Sequence, residues 1–453
     1  MKKLLEKIFP LLFLIPLVIG TIGYLQSGEM ITNALYASFA LYFTNPVSDA
    51  YNGLVEFARW TAPLMTATVI LCALKNVWHK LIWRIQCLEK DSVAIYSDQN
   101  ISISFGENVT TIYAGNTFQP WAKSHILMFS SDQDNLKFYE DHKKKLKTDE
   151  VYIALRELET GLLQKIDKID FFDVNGAIAR NLWKQISVWK NREQKMDIVI
   201  YGNGALAEAI LTYGIQMNLF SASQQITYHV ISETNYFEIK HPNFQTQNED
   251  RIISYRESDE GIWEIIRNAE IVIAADLLSM QKFQEIVVNT VKGQLYYYSP
   301  ETGTLGDYIT YGNPKAFGRN DFIFTDENIR RKQLVKKADE LNKQYARNYG
   351  GEKEWRKLSG FLRASNISSA DFMEILRELP DTVQMEEAAE LEHICWCRFH
   401  YLNYWKYGIS DNGARKDAQK RIHKDLIPYK ELSEAEKEKD RDIVKKARRM
   451  EKV

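Results

Sequence analysis

Hydrophobic and polar positions fall into three regimes along this chain. The first is unbroken apolarity. One run extends from Ile8 to Leu25, and a second, FARWTAPLMTATVILCAL, from Phe57 to Leu74. Each approaches the ~20 residues that carry a helix across a bilayer. Lys2, Lys3 and Lys7 flank the first run, and Lys75, His79, Lys80 and Arg84 follow the second. Positive charge at both outer ends predicts a two-span hairpin over residues 1–85 in the inner (plasma) membrane, both termini cytoplasmic, with residues 26–53 outside. The alternative is a cleaved signal peptide followed by one anchor. Against it, the first run exceeds the usual signal core of about 7–15 residues, and no small-residue cleavage site ends it.

Between the runs, Leu35, Phe39 and Tyr42 or Phe43 recur at helical spacing, and Pro46 ends the pattern. This piece is too short to cross. It is either a re-entrant pore helix, which would bring Tyr42, Thr44, Asn45 and Glu56 to a pore, or a tyrosine-rich helix at the outer interface. Glu56 and Arg59 stand at the mouth of the second run, as an ion-attracting ring or as an interfacial pair. No TVGYG-like filter is present, so potassium selectivity does not follow.

From Asp91 the pattern alternates. Short β-rich runs at 92–97, 110–114, 125–130, 150–155 and 169–174 are separated by helical stretches at 132–146 and 175–189. Such alternation predicts an α/β fold with a doubly wound parallel sheet, here a first lobe over 90–190. Its first turn, Ser97-Asp98-Gln99-Asn100, lacks the glycines that let a backbone approach a pyrophosphate. A second lobe, 195–325, restarts at MDIVIYGNGALAEAIL. There the strand meets Gly202-x-Gly204-x-x-Ala207, and further strands follow at 226–232, 270–275 and 294–299. Gly202 permits the tight turn, Gly204 the approach of a phosphate, and Ala207 close helix–strand packing. With Asn203 in the turn and Glu233 as the acid after the second strand, these five form a candidate site for a nucleotide or dinucleotide. A purely structural turn is the equal alternative, and Glu233 lies farther on than the usual ~20 residues.

Two such lobes after a membrane hairpin resemble the tandem RCK (TrkA-N-like) domains that gate potassium channels and transporters. DVNGAIARNLW at 173–183 looks like the helix closing the first lobe in that group. The resemblance implies lobes paired into a ring, a homo-oligomer with a tetramer favoured, and a ligand that changes the ring's shape.

The third regime is helical. A linker helix is expected from Asp326 to Asn348, capped by Thr325 and ended by Gly350-Gly351, so that 326–350 joins the second lobe to 351–453. In EEAAELEHICWCRFHYLNYWKYG, Ala389, Glu392 or His393, Trp396 and Phe399 or His400 share one face. Asp411-Asn412-Gly413 signals a turn, and Ser433 with Glu436 a capping box. Trp396, Trp405, Tyr407 and Tyr429 can wall a base, while Arg398, Arg415, Arg421, His423 and Lys437 supply donors for an anion. The same residues also suit a small helical core with a charged surface.

This stretch and KRIHKDLIPYKELSEAEKEKDRDIV are similar to the RyR domain, the repeat of ryanodine receptors and of bacterial proteins. The matching positions are Leu391, Glu392, His393, Trp396, Arg398, Trp405, Tyr407 and Gly408, then His423, Leu426, Pro428, Tyr429, Leu432, Lys437 and Asp440. The resemblance implies a ligand site drawing on Glu392, His393, Trp396, Arg398, Trp405, Tyr407, Arg421, His423, Pro428 and Tyr429. It also implies a role downstream of nucleotide signals, antiphage defence among them.

The net charge of −2 over 453 residues provides no basic field for nucleic acid. Four cysteines, Cys72, Cys87, Cys395 and Cys397, are too few for a disulfide scaffold and fit a reduced compartment. His393, Cys395, Cys397 and His400 do not predict a metal site, because helical positions two apart point in opposite directions. No G-x-S-x-G, HExxH or P-loop is present, so no enzyme is expected. The expectation is a ligand-gated membrane channel or effector that senses a nucleotide-type molecule, with membrane lipid and further copies of itself as partners. A membrane-anchored NAD-dependent oxidoreductase and a non-conducting ligand-sensing scaffold are the alternatives.

Overall fold

The computed structural model describes residues 2–148, 150–159, 163, 169–191, 195–301, 305–411 and 413–450. The side chains of Lys2, Lys3, Lys7, Cys72 and His79, and the turn residue Asn412, lie outside the described residues. The chain divides into two compact units, Met1–Glu89 and Lys90–Val453.

The first unit holds α1 (Lys2–Gln26), α2 (Ile31–Ala40) and α3 (Gly53–Gln86). Asn52 starts α3 by accepting the Leu54 and Val55 amides at 3.0 and 2.9 Å. Small residues let α1 and α3 run antiparallel in close contact. A Cβ placed on Gly23 would stand 2.9 Å from the Val55 nitrogen, and one on Gly20 would stand 3.1 Å from the Ala58 Cβ. Ala34, Ala37, Leu41 and Tyr42 bury against this pair, while Trp60, Leu64 and Leu71 face outward. Among the described residues, Gly53–Leu71, with mean hydropathy 1.2, is long and apolar enough to cross a membrane. The apolar stretch Phe13–Gln26 of α1 is shorter.

The second unit opens with β1 (Ser92–Tyr96), β2 (Thr110–Tyr113), β3 (Ser124–Leu127), α4 (Asp132–His142), β4 (Val151–Leu155), β5 (Ile169–Asp173) and α5 (Val174–Ile186). The sheet order is β2-β1-β3-β4-β5, every pair parallel. Next come β6 (Lys195–Tyr201), α6 (Ala205–Met217), β7 (Gln225–Ile231), β8 (Arg251–Tyr255), α7 (Ile262–Asn268), β9 (Ile271–Ala274), α8 (Met280–Asn289), β10 (Gln294–Tyr298) and β11 (Lys315–Phe317). Their order, β11-β10-β9-β6-β7-β8, is again parallel and is that of a Rossmann-like sheet. The two sheets share a core through α5 and α6. Trp183 is fully buried, donates its Nε1–H to the Ile210 carbonyl at 2.8 Å, and leaves no room for a side chain on Gly214.

The expected linker helix is broken. A short helix, Asp326–Arg330, is capped by Thr325, and α9 (Lys332–Tyr349) follows only after Arg331 adopts φ 47°. Two long-range contacts meet at the break. Arg330 pairs with Asp91 at 3.1 Å, while Arg331 donates to the Phe171 carbonyl at 3.1 Å. Gly350, at φ 83°, ends α9.

The C-terminal part is helical: α10 (Gly360–Glu378), α11 (Met385–Leu402) and α12 (Glu434–Arg448), with a small sheet of β12 (Lys406–Tyr407), β13 (Lys416–Asp417) and β14 (Ile422–His423). Ser433 caps α12 through the Glu436 amide. The architecture is thus mixed α/β, with two parallel sheets and a helical C-terminus.

Candidate functional site

A cavity of about 440 Å³ lies between α9, α10, α11, α12 and the small sheet. Helical spacing on α11 builds its floor: His393, Trp396 and His400 stand three and four residues apart and so share a face. Trp396 and His400 pack with ring centroids 4.0 Å apart, and Phe361 stacks on Trp405 at 5.0 Å. On the α9 wall, Tyr345 and Tyr349 lie 5.2 Å apart, and the Tyr349 hydroxyl donates to Asp442 of α12 at 2.8 Å.

One end carries cations and carboxylates together. Arg415 is tied to Asp425 and Glu436, and Lys439 to Glu436 at 2.8 Å. Lys416, exposed at the rim, has no carboxylate partner among the described residues. The local field registers on His423. Burial first, then Arg415, Lys416 and Lys439, pushes its imidazole down to about 3. His400 is pushed down to about 3, chiefly by burial.

His393 behaves differently. Its Nε2 meets the Ile427 carbonyl at 2.8 Å and its Nδ1 the Asp440 carboxylate at 3.4 Å. Both neighbours accept, which favours the doubly protonated ring. Burial pulls the pKa down, but Cys397 and Asp440 outweigh it and hold the group well above the ordinary histidine value. Behind it, Glu392 accepts from Ser369 at 2.9 Å, and its other carboxylate oxygen has no partner. Burial, then Asp440, holds that carboxyl well above the usual range.

Of the ten residues expected at this site, the cavity brings together His393, Trp396, Trp405 and His423. Glu392 lies behind the wall. Arg398 points the other way, to the end of α6 and the loop before β8. Tyr407 is exposed. Arg421 donates to the Asn403 carbonyl at 3.0 Å. Pro428 precedes the turn carrying Tyr429, whose hydroxyl donates to Glu386 at 3.0 Å. The unforeseen members are Tyr345, Tyr349, Phe361 and Lys416. They come from α9, α10 and the small sheet, and no local pattern ties them to α11. Of the His393, Cys395, Cys397 and His400 set, Cys397 lies 3.4 Å from His393, and among the described residues no group of three His, Cys, Asp or Glu is placed to hold an ion.

The Gly202–Gly204 turn is placed as expected between β6 and α6, but its polar groups are spent internally. Gly202 and Gly204 have φ of 152° and 86°. The Asn203 amide donates to the Asp276 carboxylate at 2.7 Å, and the Asn203 side chain accepts the Glu233 amide at 2.7 Å. Asp276 and Glu233 therefore flank the turn, and burial, together with Glu233, raises the Asp276 carboxyl. Ala207 is fully buried at the helix–sheet contact. The Asn203 amide, a donor that a pyrophosphate would use, is thus held by Asp276, while Glu233 stands where an acid for a ribose hydroxyl is expected.

In the first unit, Tyr42 is buried and donates to the Phe13 carbonyl. Thr44 adopts φ 57°, the Asn45 amide returns to Ala40 at 3.2 Å, and Glu56 lies 3.7 Å from Arg59.

Residues 372–450 match the RyR domain family. No curated protein matches this chain. Among solved structures, the crystal structure of Entamoeba histolytica malic enzyme is similar at 10% identity. The match covers 92% of this chain and 89% of that one, with a TM-score of 0.28. A likeness of that size carries no argument about fold or activity.

Proposed function

We propose that this chain is a ligand-responsive membrane effector, in which an anionic, nucleotide-type molecule binds the cavity beside the RyR segment and sets the state of a membrane pore. In this reading α1 and α3 are the two spans. The parallel sheets are RCK-type lobes, and several copies, four being favoured, surround the axis. The carrying observation is the cavity itself. It joins an aromatic floor to Lys416, a cation with no carboxylate partner among the described residues, and so offers stacking for a base and a charge for a phosphate. Its walls include α9, the segment that leads back to the second sheet, so an occupant touches both parts at once.

The test is ion flux from liposomes carrying the full chain, against a panel of mono-, cyclic and dinucleotides. Flux that switches with one of them, and is lost in Lys416→Gln, supports the reading. A nucleotide that binds tightly without altering flux defeats the gating part and leaves a non-conducting sensor.

A further inference from the structure

His400 and His423 face the cavity with side chains nine-tenths buried, and each has one ring nitrogen already committed. The Nδ1 of His400 lies 2.9 Å from the Trp396 carbonyl, which can only accept, so Nδ1 carries the proton and Nε2 a bare lone pair. The Nδ1 of His423 takes the Asp425 backbone N–H at 3.1 Å, so Nδ1 is bare and Nε2 carries the proton. The Asp425 carboxylate, 3.7 Å from the same nitrogen, is too distant to compete. Neither Nε2 has a partner among the described residues. The two rings are 5.8 Å apart, with Trp396 4.0 Å from one and 5.0 Å from the other.

We infer that His400 and His423 form a base-reading pair. The His400 Nε2 accepts an N–H from the edge of a heterocycle, the His423 Nε2–H donates to the neighbouring acceptor on that edge, and Lys416, the cavity cation without a carboxylate partner among the described residues, takes its phosphate. This rests on the proposed ligand cavity and adds the ligand's class: a nucleotide moiety with an adjacent donor and acceptor on an unblocked base edge. Two neutral imidazoles of opposite polarity distinguish such an edge from a plain apolar ring, because an analogue lacking the donor leaves a buried acceptor unpaired.

The test uses the full-length protein in detergent and isothermal titration. The probes are the four 5′-ribonucleoside monophosphates, then their edge-methylated forms (N6,N6-dimethyladenosine, N1-methylguanosine, N3-methyluridine and N4,N4-dimethylcytidine monophosphates). At least one parent nucleotide is expected to bind, and its methylated form to bind about 10-fold or more weakly. His400→Phe and His423→Phe keep an aromatic ring without its hydrogen-bonding nitrogens and are expected to show the same loss toward the parent. Should these variants misfold, the methylated ligands decide the matter on the native chain. Equal binding of parent and methylated nucleotide overturns the pair. If none of the four binds while another anion drives flux, the pair is wrong and the proposed function stands. If no ligand binds and flux is constitutive, both fail.

Discussion

The guanidinium of Arg398, on α11, lies 2.9 Å from the carboxylate of Asp250, just ahead of β8, and both side chains are buried. Arg398 also donates to Asn248, to the Thr246 carbonyl and to the Ile215 carbonyl at 2.6, 2.7 and 2.5 Å. α11 thus holds the cavity on one face and the end of α6 with the loop before β8 on the other. Arg398→Met leaves the buried Asp250 carboxylate without its counter-charge, though still hydrogen-bonded by Gln224 and the Ile226 amide, and removes the donor to three other acceptors. The expected cost is about 3–5 kcal/mol in denaturant unfolding. Lys420→Ala, which cuts the exposed pair with Asp411, is expected to leave the midpoint unmoved. Equal effects for the two would disprove the clamp.

The same helix predicts an acid limb. An unfolded histidine titrates near ~6.5, whereas His400 and His423 are held at about 3 in the fold. As pH falls from ~6.5 toward about 3, the unfolded chain takes up protons that the native state refuses, so stability present above ~6.5 is lost. The loss is on the order of 3 kcal/mol per histidine by about pH 4. Glu392, with its raised carboxyl, acts in the opposite sense but is common to both proteins compared. Unfolding curves from pH 4 to 7 should therefore be flatter for His400→Phe/His423→Phe than for the native chain, and parallel curves would refute this.

Much of the fold was legible because its signals are local. VAIY and IVIY are runs whose neighbours on both faces are apolar, as buried parallel strands require, and GNGALA marks its own turn. β8 and β11 escaped because RIISY is only partly covered and KAF is a three-residue edge. The break at Arg331 escaped because the two acceptors that meet there, Asp91 and Phe171, are distant in sequence. The site was half legible for the same reason. His393, Trp396 and His400 show their shared face through spacing alone. Nothing in the α11 sequence reveals that Tyr345 and Phe361 complete the wall, or that Arg398 of the same helix serves the opposite side.

The glycine turn gives a negative expectation with a positive control. With the Asn203 amide held by Asp276 and Glu233 alongside, NADH is expected to show no saturable fluorescence change on titration with the native chain. Saturable binding lost in Gly204→Ala would contradict this. Gly202 nevertheless earns its place structurally. A Cβ there would lie 3.1 Å from the Asp276 carboxyl, at φ 152°. Gly202→Ala should cost about 1 kcal/mol or more in unfolding free energy, with no nucleotide present.

The α1–α3 contact separates two kinds of close approach. At Gly23 a new Cβ would sit 2.9 Å from the backbone nitrogen of Val55, which cannot yield without moving α3. At Gly20, whose α3 neighbour is Ala58 at 3.1 Å, the nearest atom would be the Ser38 hydroxyl of α2 at 2.9 Å, a side chain that can be trimmed. In a bilayer, where helix association depends on such close packing, both glycine-to-alanine changes should loosen the pair. Only one should be recoverable: Ser38→Ala is expected to restore Gly20→Ala in part, while Val55→Ala leaves Gly23→Ala loose. Spin labels at the outward-facing Ile22 and Phe57 report this as a distance distribution in lipid nanodiscs. The distribution should be narrow for the native chain, broad for either glycine variant, and narrowed again only by Ser38→Ala. Rescue of Gly23→Ala by Val55→Ala would show that side-chain volume, and not backbone approach, sets the spacing of the two helices.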